Sequence, residues 1–218
     1  MVSFIDDAPA IAAGTEESRI GAGLLIGVYA LQGDFMEHEA MLRRLGANTR
    51  QIRKPEDLEG IQAIVIPGGE STVIDKLSRI FGLAEPLQKM LTAGLPALLT
   101  CAGLIYAATD LVDAAPGQRT LGVLNARVQR NAFGSQLDSF VTQITVRGIG
   151  EHIPATFIRG PIVQAVGAGA QAVASLADGR IVAVQQGDIL GLAFHPEQDS
   201  DHRIVAWWLR RVRARDFR

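Results

Sequence analysis

"LPALLTCAGLIYAATDL", residues 95–111, decides how the chain is built. Leu95 to Leu99 form a nearly continuous apolar run, the pattern of a strand covered on both faces. Thr100, Cys101, Ala102 and Gly103 are small enough to let a helix begin at once, and the spacing predicts that helix over 102–111. A strand, a tight turn and a helix make the repeating unit of a parallel sheet. The turn also holds the single cysteine of the chain. A lone cysteine is commonly a small buried packing residue. A strand-to-helix turn, however, also presents its sulfur beside a helix N-terminus, where the positive end of the dipole favours thiolate. Both roles are open to Cys101 on this stretch alone.

Upstream the unit repeats. Leu24–Leu31 is another short apolar run. Asp34 and Glu37 are spaced as a capping box, and Phe35, His38, Met41, Leu42 and Leu45 share one helical face that stops at Gly46. Ile61–Ile66 leads into Pro67-Gly68-Gly69-Glu70-Ser71, with a helix predicted from Thr72 to Ile80. The fold class is therefore α/β: a three-layer, mostly parallel open sheet with helices on both faces. Shorter strands predicted at 140–146, 155–158, 171–175, 181–186 and 189–194 add a mixed or antiparallel C-terminal portion. A last helix begins near Asp199–Asp201, turns Ile204, Trp208 and Val212 inward, and carries Arg210, Arg211, Arg213 and Arg215 near its C-terminus, where cations suit the dipole.

The 218 residues are 48% hydrophobic and 20% charged, with a formal net charge of −2. That is a globular composition of about one domain, with no basic surplus to recruit nucleic acid or an anionic membrane. Residues 1–23 read as a flexible N-terminal extension and 24–218 as one domain. The extension carries Asp6, Asp7, Glu16 and Glu17 and no basic cluster near Met1, unlike a secretory or transit peptide. The apolar stretch Leu95–Ala108 is too short to span a bilayer. One cysteine forms no intrachain disulfide, which fits a cytoplasmic protein.

Functional groups of an open parallel sheet gather at the carboxyl ends of its strands. Three segments fall at such ends: Gly68-Gly69-Glu70, Cys101 and His195-Pro196-Glu197. His195 and Glu197, one residue apart in extended backbone, project to the same side. Glu197 is thus able to hold the imidazole by its far nitrogen while the near nitrogen takes the proton of Cys101. The N–H of Ala102 and the Gly-rich turn supply donors for an oxyanion. A nucleophile, an oriented base and an oxyanion hole are the parts of acyl transfer through a thioester. His38, His152 and His202 have no comparable neighbour in sequence and read as helix or loop residues.

Further segments carry a resemblance. Leu31-Gln32-Gly33 with Glu37-His38, Pro67-Gly68-Gly69-Glu70-Ser71-Thr72, and Thr100-Cys101-Ala102-Gly103-Leu104-Ile105 come first. Arg130-Asn131-Ala132-Phe133-Gly134, Phe157-Ile158-Arg159, Phe194-His195-Pro196-Glu197 and Asp201-His202-Arg203 follow. From about Ile26 to its end the chain resembles the class I (triad-type) glutamine amidotransferases, and among them the glutaminase subunits of pyridoxal 5′-phosphate synthase.

The resemblance implies hydrolysis of L-glutamine to L-glutamate and ammonia, with the ammonia delivered to a synthase subunit, in a large hetero-oligomer, for vitamin B6 synthesis. It implies that Cys101, His195 and Glu197 are the catalytic triad and that Gly69 and Ala102 form the oxyanion hole. Gly69, Glu70, Ser71, Arg130, Ile158 and Arg159 would contact glutamine, and Gln32 would lie at the synthase interface. No metal or organic cofactor is implied. The alternatives are a glutaminase of another pathway, such as imidazole glycerol phosphate synthase, or an impaired docking module. Two positions depart from the family pattern: Leu99 stands where glycine is usual, and Ser135 where arginine is usual. An elbow that folds back sharply crowds the positions two before and two after the nucleophile, so Leu99 is expected to press on Gly103.

Overall fold

The computed structural model describes residues 16–132 and 139–215 of the chain. Its first half alternates strand and helix as the apolar runs require. β1 (Leu25–Tyr29), α1 (Phe35–Arg44), β2 (Asn48–Ile52), β3 (Ala63–Ile66), α2 (Ser71–Ile80), α3 (Ala84–Thr92), β4 (Ala97–Thr100) and α4 (Ala102–Ala107) follow in order. Then come β5 (Ala108–Leu111), β6 (Leu124–Gln129), β7 (Ser139–Val146), β8 (Gly150–Ile158), β9 (Ile162–Val166), β10 (Ala170–Ser175), β11 (Ile181–Gln186), β12 (Ile189–Leu192) and α5 (Arg203–Arg215).

The large sheet has the order β2-β1-β3-β4-β12-β11-β9-β6-β5, with β10 paired to β11. From β2 to β12 every pairing is parallel, with Ile66 opposite Leu99 and Leu99 opposite Gly191. β3, β4 and β12 are buried at every position, as strands between two helical layers must be. Beyond β12 the pairings of β11 and β9 turn antiparallel, which is the mixed C-terminal portion expected. β7 and β8 form a separate antiparallel ribbon. Phe157 of that ribbon stacks on Phe140 at 4.7 Å and meets Phe194 at 5.6 Å, so the ribbon is fastened to the chain just before His195.

Three local expectations are corrected. The helix predicted over 102–111 ends at Ala107, because Ala108 turns extended (ψ 150°) and 108–111 pairs with β6. Asp34 sits at the N-cap of α1 but makes no capping bond through its side chain. Polar β2 (Asn-Thr-Arg-Gln-Ile), which lies at the sheet edge, was not foreseen as a strand, nor were β5, β6 and β9. Within the stretch read as an extension, residues 16–23 are tied to the body. Gly21 N–H donates to Leu45 O at 2.7 Å, and Arg213 donates to the carbonyls of Arg19, Ile20 and Ala22 at 3.0–3.2 Å.

Candidate active site

Because β1, β3, β4 and β12 are adjacent and parallel, the segments after them meet at one edge: Gln32–Asp34, Gly68–Glu70, Cys101 and His195–Glu197. Cys101 has φ +45° and ψ −101°, a left-handed conformation that a non-glycine residue holds only when its surroundings enforce it. They do so here. Cys101 N–H donates to Leu192 O at 2.8 Å, and Ile105 N–H donates to Cys101 O at 3.2 Å.

The helix after Cys101 runs tight against β3. A Cβ on Gly103 would overlap the carbonyl of Ile66, so glycine is needed there because of the neighbouring strand. Leu99 does not cause the crowding. It is fully buried in the core, and its register neighbour on β12 is Gly191, which has no side chain. The expectation that Leu99 presses on Gly103 is therefore corrected, and the elbow is formed with leucine in place.

His195 N–H is bonded to Thr156 O of the ribbon at 2.9 Å. Its ring nitrogen Nδ1 lies 2.6 Å from Glu197 Oε1. That bond leaves Nε2, buried and without an oxygen or nitrogen partner, for the Cys101 thiol. Burial pulls the imidazole pKa down, but the bond to Cys101 and then Glu197 outweigh it and push it up to about 10. Glu197 is buried, which by itself would raise it. The neighbouring His38 and His195 more than offset this and keep its carboxyl below the usual range.

Asp34 Oδ2 stands 3.6 Å from the same Nδ1, and partial burial, first of all, holds its carboxyl above the usual range. Asp34, His195 and Glu197 gather ligand atoms within 4.8 Å of one another, as a metal site could. The imidazole atom nearest both carboxylates is, however, already bonded to Glu197.

Two glycine turns interlock beside the ring. A Cβ on Gly33 would overlap Gly68 O, one on Gly68 would strike the His195 ring, and one on Gly69 (φ +145°) would strike Gln32 Oε1. Gln32 Oε1 accepts from Glu70 N–H at 2.7 Å, and Asp34 N–H donates to Gly68 O at 3.3 Å. A buried cysteine at the elbow, an imidazole between sulfur and carboxylate, and a glycine turn against the ring together make a site for acyl transfer.

Residues 28–214 match the SNO glutamine amidotransferase family. The chain belongs to that family. It is 54% identical over 194 residues to the pyridoxal 5′-phosphate synthase subunit PdxT of Cutibacterium acnes, covering 86% of this chain and 96% of that one. It is 53% identical to the PdxT of Clavibacter michiganensis, covering 88% and 92%. A crystal structure of a glutamine amidotransferase superposes with a TM-score of 0.81 at 44% identity over 86% of this chain and 98% of that one. A putative GMP synthase subunit from Thermoplasma acidophilum shares the fold, with a TM-score of 0.65 at 18% identity over 89% and 96%.

In this glutamine amidotransferase the other expected residues are tied to the 68–71 turn and to the end of the ribbon. Arg130 donates to Gln118 Oε1 at 2.9 Å and to Asp113 O at 3.2 Å, and reaches Glu70 Oε1 at 3.4 Å. Glu70 caps α2 by accepting from Thr72 N–H at 3.2 Å. Buried Ser71 accepts from Gln118 Nε2 at 3.1 Å. Ile158 and Arg159 end the ribbon, and Ala132 N–H donates to Gly160 O at 3.2 Å, which joins their loop to that of Arg130. Arg159 and Asn131 both hold positive φ (+46° and +47°). Phe133, Gly134 and Ser135 lie outside the described residues.

Sequence reasoning missed two contributors. Gln118 binds both Arg130 and Ser71 from a loop without local pattern. His38, set aside as a helix residue, has its Nε2 3.2 Å from Glu197 Oε2. Its signals in sequence are a histidine on an otherwise apolar helix face and the Glu37-His38 pair within the resemblance.

Proposed function

We propose that this chain is the glutaminase subunit of a pyridoxal 5′-phosphate synthase and that Cys101, His195 and Glu197 are its catalytic triad. The observation that carries the reading is the Nδ1–Oε1 bond of 2.6 Å between His195 and Glu197, made beside a cysteine held at φ +45°. The pathway follows from relatives named as synthase subunits, which the chain matches over nearly their full length.

The sulfur of Cys101 attacks the side-chain amide carbon of L-glutamine, with its proton transferred to His195 Nε2. The oxyanion of the tetrahedral adduct accepts from the N–H groups of Gly69 and Ala102. The imidazolium so formed, which against the pull of burial is favoured by Cys101 and Glu197, is the donor, and its proton leaves with the ammonia. The ring, now neutral, takes a proton from water as hydroxide adds to the thioester, and L-glutamate departs with Cys101 restored. Glu197 fixes the tautomer and answers the imidazolium charge. Arg130, with Glu70 and Ser71 on the same rim, answers the charged amino-acid end of the substrate, since guanidinium binds a carboxylate bidentately. Ile158 and Arg159 form the facing lip, and Gln32 lies where a docked partner meets the 68–70 turn.

Ammonia released to bulk water is protonated and ceases to be a nucleophile, so the product calls for an enclosed handover. The synthase subunit is that partner, in a large hetero-oligomer, with no metal or organic cofactor on this chain. Leu99 is accommodated in the core opposite Gly191, which speaks against an impaired docking module. Glutamate release in the presence of the synthase subunit tests the reading. Cys101→Ala is expected to lower it by at least about a thousandfold with an unchanged circular dichroism spectrum, and turnover near wild type in pure Cys101→Ala would overturn the assignment.

A further inference from the structure

His38 comes from α1, on the far side of Glu197 from His195, and is fully buried. Its Nε2 lies 3.1 Å from Thr100 Oγ1, one residue before the elbow, and 3.2 Å from Glu197 Oε2. Its Nδ1 has no partner, and Glu197 Oε2 has no hydrogen bond of its own.

These contacts select a tautomer. A proton on Nδ1 would be a buried donor without an acceptor, and would aim the lone pair of Nε2 at a carboxylate oxygen. A proton on Nε2 meets two oxygens and leaves only an acceptor unmet, the cheaper deficit. Burial, the largest influence, keeps the ring neutral by pulling its pKa down. The titratable groups facing it are Glu197 and His195 from the segment after β12, and Asp34 and Glu37 from the start of its own helix.

We propose that His38 is a positioning residue of this site: its Nε2–H, seated on Thr100 Oγ1, supports the outer oxygen of Glu197 and so extends the triad to Cys101–His195–Glu197–His38. A carboxylate gripped at one oxygen swings about that bond. Held at both, it fixes the imidazole plane toward the sulfur. Thr100 links the same histidine to the strand that carries the nucleophile, so the two halves of the site share one anchor. The inference rests on the glutaminase reading above for its kinetics, and on none of it for the state of His195.

Two measurements on the full chain test it. In glutamine hydrolysis with the synthase subunit present, His38→Leu is expected to lower kcat at least about tenfold, the size of a lost polar contact with a buried charged group, with KM within about twofold. His38→Gln carries an amide N–H the same number of bonds from the backbone and recovers most of the rate. In imidazole ¹⁵N NMR, the His195 titration midpoint falls in His38→Leu and stays near wild type in His38→Gln. An unchanged kcat and midpoint in folded His38→Leu would overturn the proposal. So would His38→Gln losing as much as His38→Leu while melting like wild type, since that marks a packing role. A wild-type complex that fails to hydrolyse glutamine would refute the glutaminase reading, and the His195 midpoints would still decide the role of His38.

Discussion

His195 binds its proton more tightly in the folded chain than in the unfolded one, and this gives the response to alkali its sign. The ordinary imidazole pKa is about 6.5, whereas here, against the pull of burial, Cys101 and Glu197 push it up to about 10. The stabilisation is complete below about pH 6.5 and is lost as pH rises through about 10. Melting temperatures measured from pH 6 to 10 should therefore fall toward the alkaline end. Glu197→Gln should flatten that limb and cut glutamine hydrolysis by about 10²–10⁴-fold. A wild-type curve as flat as that of Glu197→Gln would contradict the assignment. At this scale the sequence showed most where chemistry is compressed into adjacent residues. His195 and Glu197 are neighbours in the chain as well as in space, and Cys101 is unique. His38 and Gln118 reach the site only through the packing of α1 and the 112–123 loop, and no local spacing announces them.

Elements place the elbow by contact between backbones. Gly103 lies against Ile66 of β3, and Leu99 fills the core beside Gly191. Two substitutions should then separate packing from positioning. Leu99→Gly empties a buried site in a central strand and should cost about 3–5 kcal/mol, as a cavity plus the backbone freedom of glycine. Urea unfolding would show it. Gly103→Ala has to push α4 away from β3, and a displacement of about 1 Å at the sulfur costs on the order of a hundredfold in rate. If Leu99→Gly left stability unchanged, the core role of Leu99 would be wrong. The buried strands β3, β4 and β12 were legible because each is a short apolar run. β2 was not, since an edge strand half in water has no reason to be apolar. The 102–111 helix was overread because alanine suits a helix in isolation, while pairing with β6 claims Ala108 for a strand.

For the molecule as a whole, the parallel order β1-β3-β4-β12 matters more than any one loop. It brings segments from both ends of the chain to one edge. Alternating apolar runs made the parallel half readable. The switch to antiparallel pairing beyond β12 was foreseen only as a texture of short strands, because pairing partners are chosen by tertiary contact. α5 closes the fold through Arg213, whose guanidinium gathers three carbonyls of residues 19–22. Arg213→Ala should raise amide hydrogen exchange in residues 16–23 while leaving glutamine turnover within about twofold, since the clasp is at the opposite edge of the sheet from Cys101. Protection as in wild type would show that the clasp holds nothing. No helix among the described residues is long and apolar enough to cross a membrane.

The touching turns at Gly33 and Gly68 have a consequence for how such a protein can change over generations. Where two large side chains meet, one can shrink as the other grows, and a lineage drifts through paired replacements. Here each partner is already the smallest residue there is. A side chain gained at Gly33 finds nothing opposite that could give way, and one gained at Gly68 meets the imidazole of His195. The path between neighbouring sequences is closed at both positions at once, with no second-site suppressor available from their own contact. The two turns are therefore constrained as a single unit, and a side chain gained at either can be absorbed only by moving backbone or the His195 ring.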